Sequence, residues 1–113
     1  MSKLVDKIEH YIAVSKDLGL DLSEELISKA TEDLAPSIYQ QDAETVSCSD
    51  SAELDTVKKN FLANKLGVDA DDATVDTAIK KVCEAMGTSN RHKYRALFYA
   101  LLAKEFGKES IYA

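Results

Sequence analysis

The chain has 113 residues, 45% of them hydrophobic and 30% charged, and a formal net charge of −6 at pH 7. That length supports one domain with a core of its own, and the composition is that of a folded chain rather than a disordered one. The negative charge disfavours general binding to nucleic acid or to an anionic membrane surface, since both require a positive field.

Leu4, Val5, Ile8, Tyr11, Ile12, Ser15 and Leu18 recur at helical spacing, and Gly19 stands where a left-handed cap ends a helix. Ser23, followed by Glu24 and Glu25, opens a second helix whose inward face is Leu26, Ile27, Ala30 and Leu34. A hydroxyl accepting from a free amide and acids at the positive end of the dipole both favour that start. Pro36 stops the helix, because the residue before a proline avoids the helical region. Residues 36–49 lack periodicity; Ile38 and Tyr39 are expected to pin them to the core, with room for a single helical turn, while Gln40, Gln41, Asp42 and Glu44 face water.

Asp50 with Glu53 resembles a capping box and restarts helix three, with Leu54, Val57, Phe61, Leu62 and Leu66 as its buried face and Gly67 at its end. Asp69, Asp71 and Asp72 precede a fourth helix carrying the stripe Val75, Ala78, Ile79, Val82, Cys83 and Met86, closed by Gly87. Thr88, Ser89 and Asn90 are competent caps for a fifth helix that runs to about Phe106. The terminal pair Ile111 and Tyr112 is expected to dock. No stretch alternates with period two, so the expected fold class is all-α, a compact bundle of about five helices around a buried C-terminal helix, in one domain over 1–113.

The fifth helix is the expected centre. Tyr94, Leu97, Phe98, Leu101, Leu102 and Phe106 share a broad face, and the opposite side carries Ala96, Ala100 and Ala103 instead of charge. Such a helix is either packed inside the domain on more than one side or joined to a second copy over its alanine face, which keeps a homodimer among the partners considered.

Arg91, Lys93 and Arg95 form the densest basic stretch, with no acid between residues 88 and 104. Placed in the first turns of a helix they oppose the dipole, so something anionic must compensate. One reading makes Ser89, Asn90, Arg91, His92, Lys93 and Arg95 a site for an anion or an acidic partner. The other pairs the cations with the chain's own acids, among them Asp42, Glu44, Asp50, Glu53 and the run Asp69 to Asp76.

Cys48 and Cys83 lie far apart, without a Cys-x-x-Cys spacing, which gives no support to a disulfide framework or zinc site. Cys83 reads as a small core residue and Cys48 as a loop cysteine in a polar setting before a helix start, where a thiol pKa can fall. A nucleophilic pair of Cys48 with His92 is conceivable, but no spacing brings them together. His10 has no second ligand at metal spacing, and the Asp69–Ala73 run is no calcium loop: Thr74 replaces the central glycine, and Lys80 the bidentate acid. No metal, cofactor or catalytic residue is assigned. The N-terminus has no signal-peptide core, and the longest apolar run, Ala96 to Ala103, falls far short of the roughly 20 residues of a membrane span, so a cytoplasmic protein is expected.

Pro36-Ser37-Ile38-Tyr39, the string Glu53-Leu54-Asp55-Thr56-Val57-Lys58-Lys59-Asn60-Phe61-Leu62, and Ser89-Asn90-Arg91-His92-Lys93-Tyr94-Arg95 together resemble a bacterial family catalogued as domain of unknown function 2853. The resemblance extends from helix one through Glu109-Ser110-Ile111-Tyr112 and is most specific in the 89–95 string. It implies a soluble all-α protein with no assigned activity and supplies no catalytic residues. Two functions are therefore expected as alternatives. One is a non-enzymatic interaction or structural helical module using the basic stretch. The other is a small-molecule-binding or weakly catalytic protein with a pocket between residues 36–50 and the start of the last helix.

Overall fold

Residues 3–35, 37–40, 44–87, 90 and 92–112 are described in a computed structural model of the protein. Pro36, Gln41, Asp42, Thr88, Ser89 and Arg91 lie outside the described residues, and with them the expected proline stop and two residues of the basic motif, Ser89 and Arg91.

Among the described residues the chain forms five helices and no strand: α1 (Lys3–Leu18), α2 (Glu24–Leu34), α3 (Ser51–Thr56), α4 (Asp72–Ala85) and α5 (Arg95–Glu105). Helix α3 continues without interruption as a π-helical segment over Val57–Ala63. Short 3-10 turns cover Ser37–Tyr39 and Glu109–Tyr112. The caps follow from local chemistry. Ser23 Oγ accepts from Leu26 N at 3.1 Å, Asp50 Oδ1 from Ala52 N at 3.0 Å, and Asp71 Oδ1 from Thr74 N at 2.8 Å. Gly19 takes φ 69° at the end of α1, a conformation that costs a side-chain-bearing residue free energy.

The π-helical segment departs from a simple 3.6-residue period. Its wider turns, seen where Leu66 N donates to Phe61 O at 2.9 Å and Asn64 N to Lys59 O at 3.2 Å, turn both Phe61 and Leu62 into the core. The Phe61 ring then stacks on Tyr99 of α5, with centroids 3.9 Å apart.

Helix α5 is the rod around which the others pack: α2 and α4 lie along it, and α1 and the C-terminal turn also touch it. Ala96, Ala100 and Ala103 are each 0% exposed, as are Leu97, Phe98 and Leu102. The alanine face is thus occupied within the chain itself, and a second copy has no access to it. Small residues there let neighbouring helices approach closely, while each fully buried Leu or Phe contributes about 1.5–3 kcal/mol of hydrophobic stabilisation.

The start of α5 differs from expectation. Its N-cap is Tyr94, without a side-chain cap, rather than Ser89 or Asn90. The Asn90 side chain is engaged elsewhere: Oδ1 accepts from His92 N at 2.9 Å and Nδ2 donates to Met86 O at 2.9 Å. Residues 92–94 are consequently outside the helix, and Lys93 does not oppose its dipole.

At the other end Tyr112 docks against α2 and α5, whereas Ile111 stays exposed. The Tyr112 hydroxyl is buried without a hydrogen-bond partner among the described residues. Burial, with Asp33 nearby, raises its pKa. A partnerless buried hydroxyl costs about 1–3 kcal/mol, so Tyr112→Phe is expected to leave stability unchanged or to raise it by up to about 1 kcal/mol in urea denaturation. A loss larger than that would show that the hydroxyl has a partner.

Candidate functional site

The basic stretch meets the aperiodic segment in a short antiparallel contact. Thr45 and Tyr94 form a β-bridge, and Val46 N donates to Lys93 O at 2.8 Å. Arg95, in the first turn of α5, closes this junction. Its Nη2 donates to Thr45 O at 3.1 Å and to Glu53 Oε1 of α3 at 2.5 Å, and its Nη1 donates to the Tyr99 hydroxyl at 2.9 Å. Burial alone would lower the Arg95 pKa, but Tyr99 and Glu53 outweigh it and stabilise the charged guanidinium. Glu53 therefore serves Arg95 rather than reaching back to Asp50 as in a capping box. Lys93, 6% exposed, donates from Nζ to Asn90 O at 2.6 Å. His92 is exposed.

The same junction is held from α1. Glu44 accepts from the Tyr11 hydroxyl at 2.7 Å and forms an ion pair with Lys7. Burial pushes the Glu44 carboxyl up, yet the hydrogen bonds from Lys7 and Tyr11 prevail and hold it below the usual carboxylate range. Tyr11, 0% exposed, has its phenol raised, by burial first and then by Glu44. Tyr94 lies among other rings, 4.9 Å from Tyr11, 5.2 Å from His10 and 6.3 Å from His92 between centroids, and its hydroxyl is hydrogen-bonded to His10 Nε2 at 3.0 Å.

Of the sequence candidates, Asn90, Lys93 and Arg95 are thus parts of a clasp between two segments of the same chain, with His92 exposed beside it. Sequence reasoning passed over Lys7, weighed His10 only as a metal ligand, and read Tyr11 only as part of a helix stripe. Tyr11 sits on the apolar stripe of α1 and reads as core, which it is; that its hydroxyl meets Glu44 depends on a contact 33 residues away.

Cys48 and Cys83 require a correction. They are joined in a disulfide, with sulfurs 2.06 Å and Cα atoms 6.2 Å apart. The spacing of 35 residues carried no hint of this, because the turn before α3 is folded onto α4 by tertiary contacts. Cys83 is nonetheless a core residue, 8% exposed. The bond suits an oxidising compartment, or a reversible role in a reducing one. Beside it opens a groove of about 460 Å³ between residues 48–51 and α3 on one side and α4 on the other. Leu54, Ile79 and the disulfide are part of its lining, and Lys58, also in the lining, pairs with Asp76. The first turn of α5 contributes nothing to this lining. Cys48, being bonded, is no partner for His92.

Among the described residues no cluster of three or more His, Cys, Asp or Glu could hold a metal ion, and no helix is long and apolar enough to cross a membrane. Asp71, from the calcium-like run, caps α4, and its hydrogen bonds from Thr74 hold the carboxyl below the ordinary range.

Two outcomes are expected. Arg95→Ala should lower stability by about 1–3 kcal/mol, and a double-mutant cycle with Glu53→Gln in urea should give a coupling of about 0.5–2 kcal/mol; additive losses would mean that the two residues do not interact. The second concerns pH. Because the folded pKa of Glu44 lies below its unfolded value, its contribution is present above about pH 4.3 and disappears as pH falls through the folded pKa. Glu44→Gln should therefore reduce Tm at neutral pH and flatten the acid limb of a Tm–pH curve.

No curated protein matches the chain. A family model described as a protein of unknown function (DUF2853) matches residues 9–110, nearly the whole chain. With this match added to the all-helical fold and the motif at residues 89–95, the chain belongs to the DUF2853 family.

Proposed function

We propose that the protein is a non-enzymatic helical interaction or structural module, a single domain over residues 1–113 that presents an anion or acidic-partner site at the start of its last helix. The observation that carries this reading is how the chemically capable side chains are used. Arg95, Glu53, Lys93, Asn90, Glu44 and Tyr11 all direct polar atoms at other parts of the same chain. They hold the 44–46 and 92–95 segments in place, as supports for a surface rather than as reagents.

What that surface offers is His92, exposed and fixed by the bond from its backbone N–H to Asn90, beside Arg91 in sequence. In this reading His92, with Arg91 next to it in sequence, meets the outside anion, while Lys93 and Arg95 hold the backbone at 92–95. A site on a rigid support loses less conformational entropy on binding than one on a free loop.

A second reading, a small-molecule site, has the groove beside the disulfide in its favour. Its volume of about 460 Å³ falls within the range of ligand pockets, roughly 300–1,000 Å³.

Titration with inorganic phosphate, followed by amide NMR, separates the two. The first reading expects graded shifts for residues 90–95 that are lost in His92→Ala. Signals that stay unmoved at millimolar phosphate would remove the anion site.

A further inference from the structure

The disulfide is not used by the proposed anion site, and its surroundings point to a chemistry of its own. The bond joins the edge of the core to the lining of an open groove: Cys83 belongs to the core, Cys48 packs against it, and both line the groove. Its two cysteines are not equally exposed. Cys83 is 8% exposed and sits on the inward stripe of α4, whereas Cys48 is only partly buried, in the polar turn Ser47–Asp50. The groove walls, moreover, are held together sparingly. Helices α3 and α4 scarcely pack against each other, and the described links across the groove are the disulfide and the Lys58–Asp76 ion pair. Helix α5 packs against α2 and α4, and the turn that carries Cys48 belongs to none of these three helices.

We propose that Cys48–Cys83 is a reversible thiol-exchange site, with the groove admitting a low-molecular-weight thiol to Cys48. The thiol enters as its thiolate and attacks Cys48 Sγ in line with the existing bond. A bond forms between the external sulfur and Cys48, the bond to Cys83 breaks, and Cys83 leaves with the electron pair as a thiolate that takes a proton from water. A second thiolate then attacks the external sulfur, and Cys48 leaves and is protonated in turn. Two thiols are oxidised to one small disulfide, and the protein disulfide is reduced to two thiols. Leu54 and Ile79 in the groove lining provide apolar contact for the thiol's carbon chain. Reduction frees the turn at 47–50 from α4 and leaves the Lys58–Asp76 pair as the described link between the groove walls.

The reaction of mercaptoethanol with the native protein, and with the protein unfolded in urea, tests this. Aliquots quenched by alkylation are read by mass and peptide mapping, with far-UV circular dichroism recorded alongside. The native rate should be proportional to thiol concentration and within about a hundredfold of the unfolded rate; exposure by global unfolding alone would slow it by about a thousandfold or more. The trapped mixed disulfide should map to Cys48, and helical content should survive reduction with a lowered Tm. A native rate more than a hundredfold slower, an adduct on Cys83, or loss of helix in step with reduction would each overturn the proposal and make the bond a structural staple. The outcome is independent of the phosphate titration, which reads other residues, so either reading can fail alone.

Discussion

The guanidinium of Arg95 is the contact on which the arrangement of this protein depends. It is bonded at once to a backbone carbonyl of the aperiodic segment, to a carboxylate of α3 and to a hydroxyl of its own helix. A planar group with several donors in fixed directions can satisfy three acceptors that diverge from one point; a lysine ammonium in the same place would lack that fixed geometry. Burying such a charge is unfavourable unless it is fully engaged, and here Glu53 and Tyr99 engage it. The clasp determines where residues 44–46 run, and through them where the turn that carries Cys48 begins.

Beneath the clasp lies an ordinary helical core. Helix α5 combines three small residues on one side with large apolar ones on the other, and both sides are covered by the chain itself. The two features support each other. The rod fixes the position of Arg95, and Arg95 in turn anchors α3, whose π-helical turns bring Phe61 onto Tyr99 and close the core on that side. The Tyr11–Glu44–Lys7 contact repeats the same principle from α1, with a carboxylate held between a phenol and an ammonium group.

The proposed function follows the division between these buried contacts and what they leave outside. The polar residues that a sequence scan marks as chemically interesting are mostly engaged within the chain, which supports an interaction module more than a reaction centre. The disulfide is the exception. It lies at the edge of the core, between two walls that do little to hold each other, and the proposed thiol exchange rests on that placement.

The helices were legible because their causes are local. Apolar spacing, Ser23, Asp50 and Asp71 as caps, and the glycines at helix ends act over a few residues, and the central place of α5 followed from alanines where charges would otherwise stand. Glu53 and Glu44 could be named as possible partners for the cations, but not assigned: Glu53 meets Arg95 across 42 residues, and Glu44 turns to Lys7 across 37. The retreat of the α5 start from Asn90 to Tyr94, and the Cys48–Cys83 bond, were likewise decided by tertiary structure. In each case residues distant in the chain compete for the same group, and such a competition is resolved only when the packing of the helices sets the distances between them.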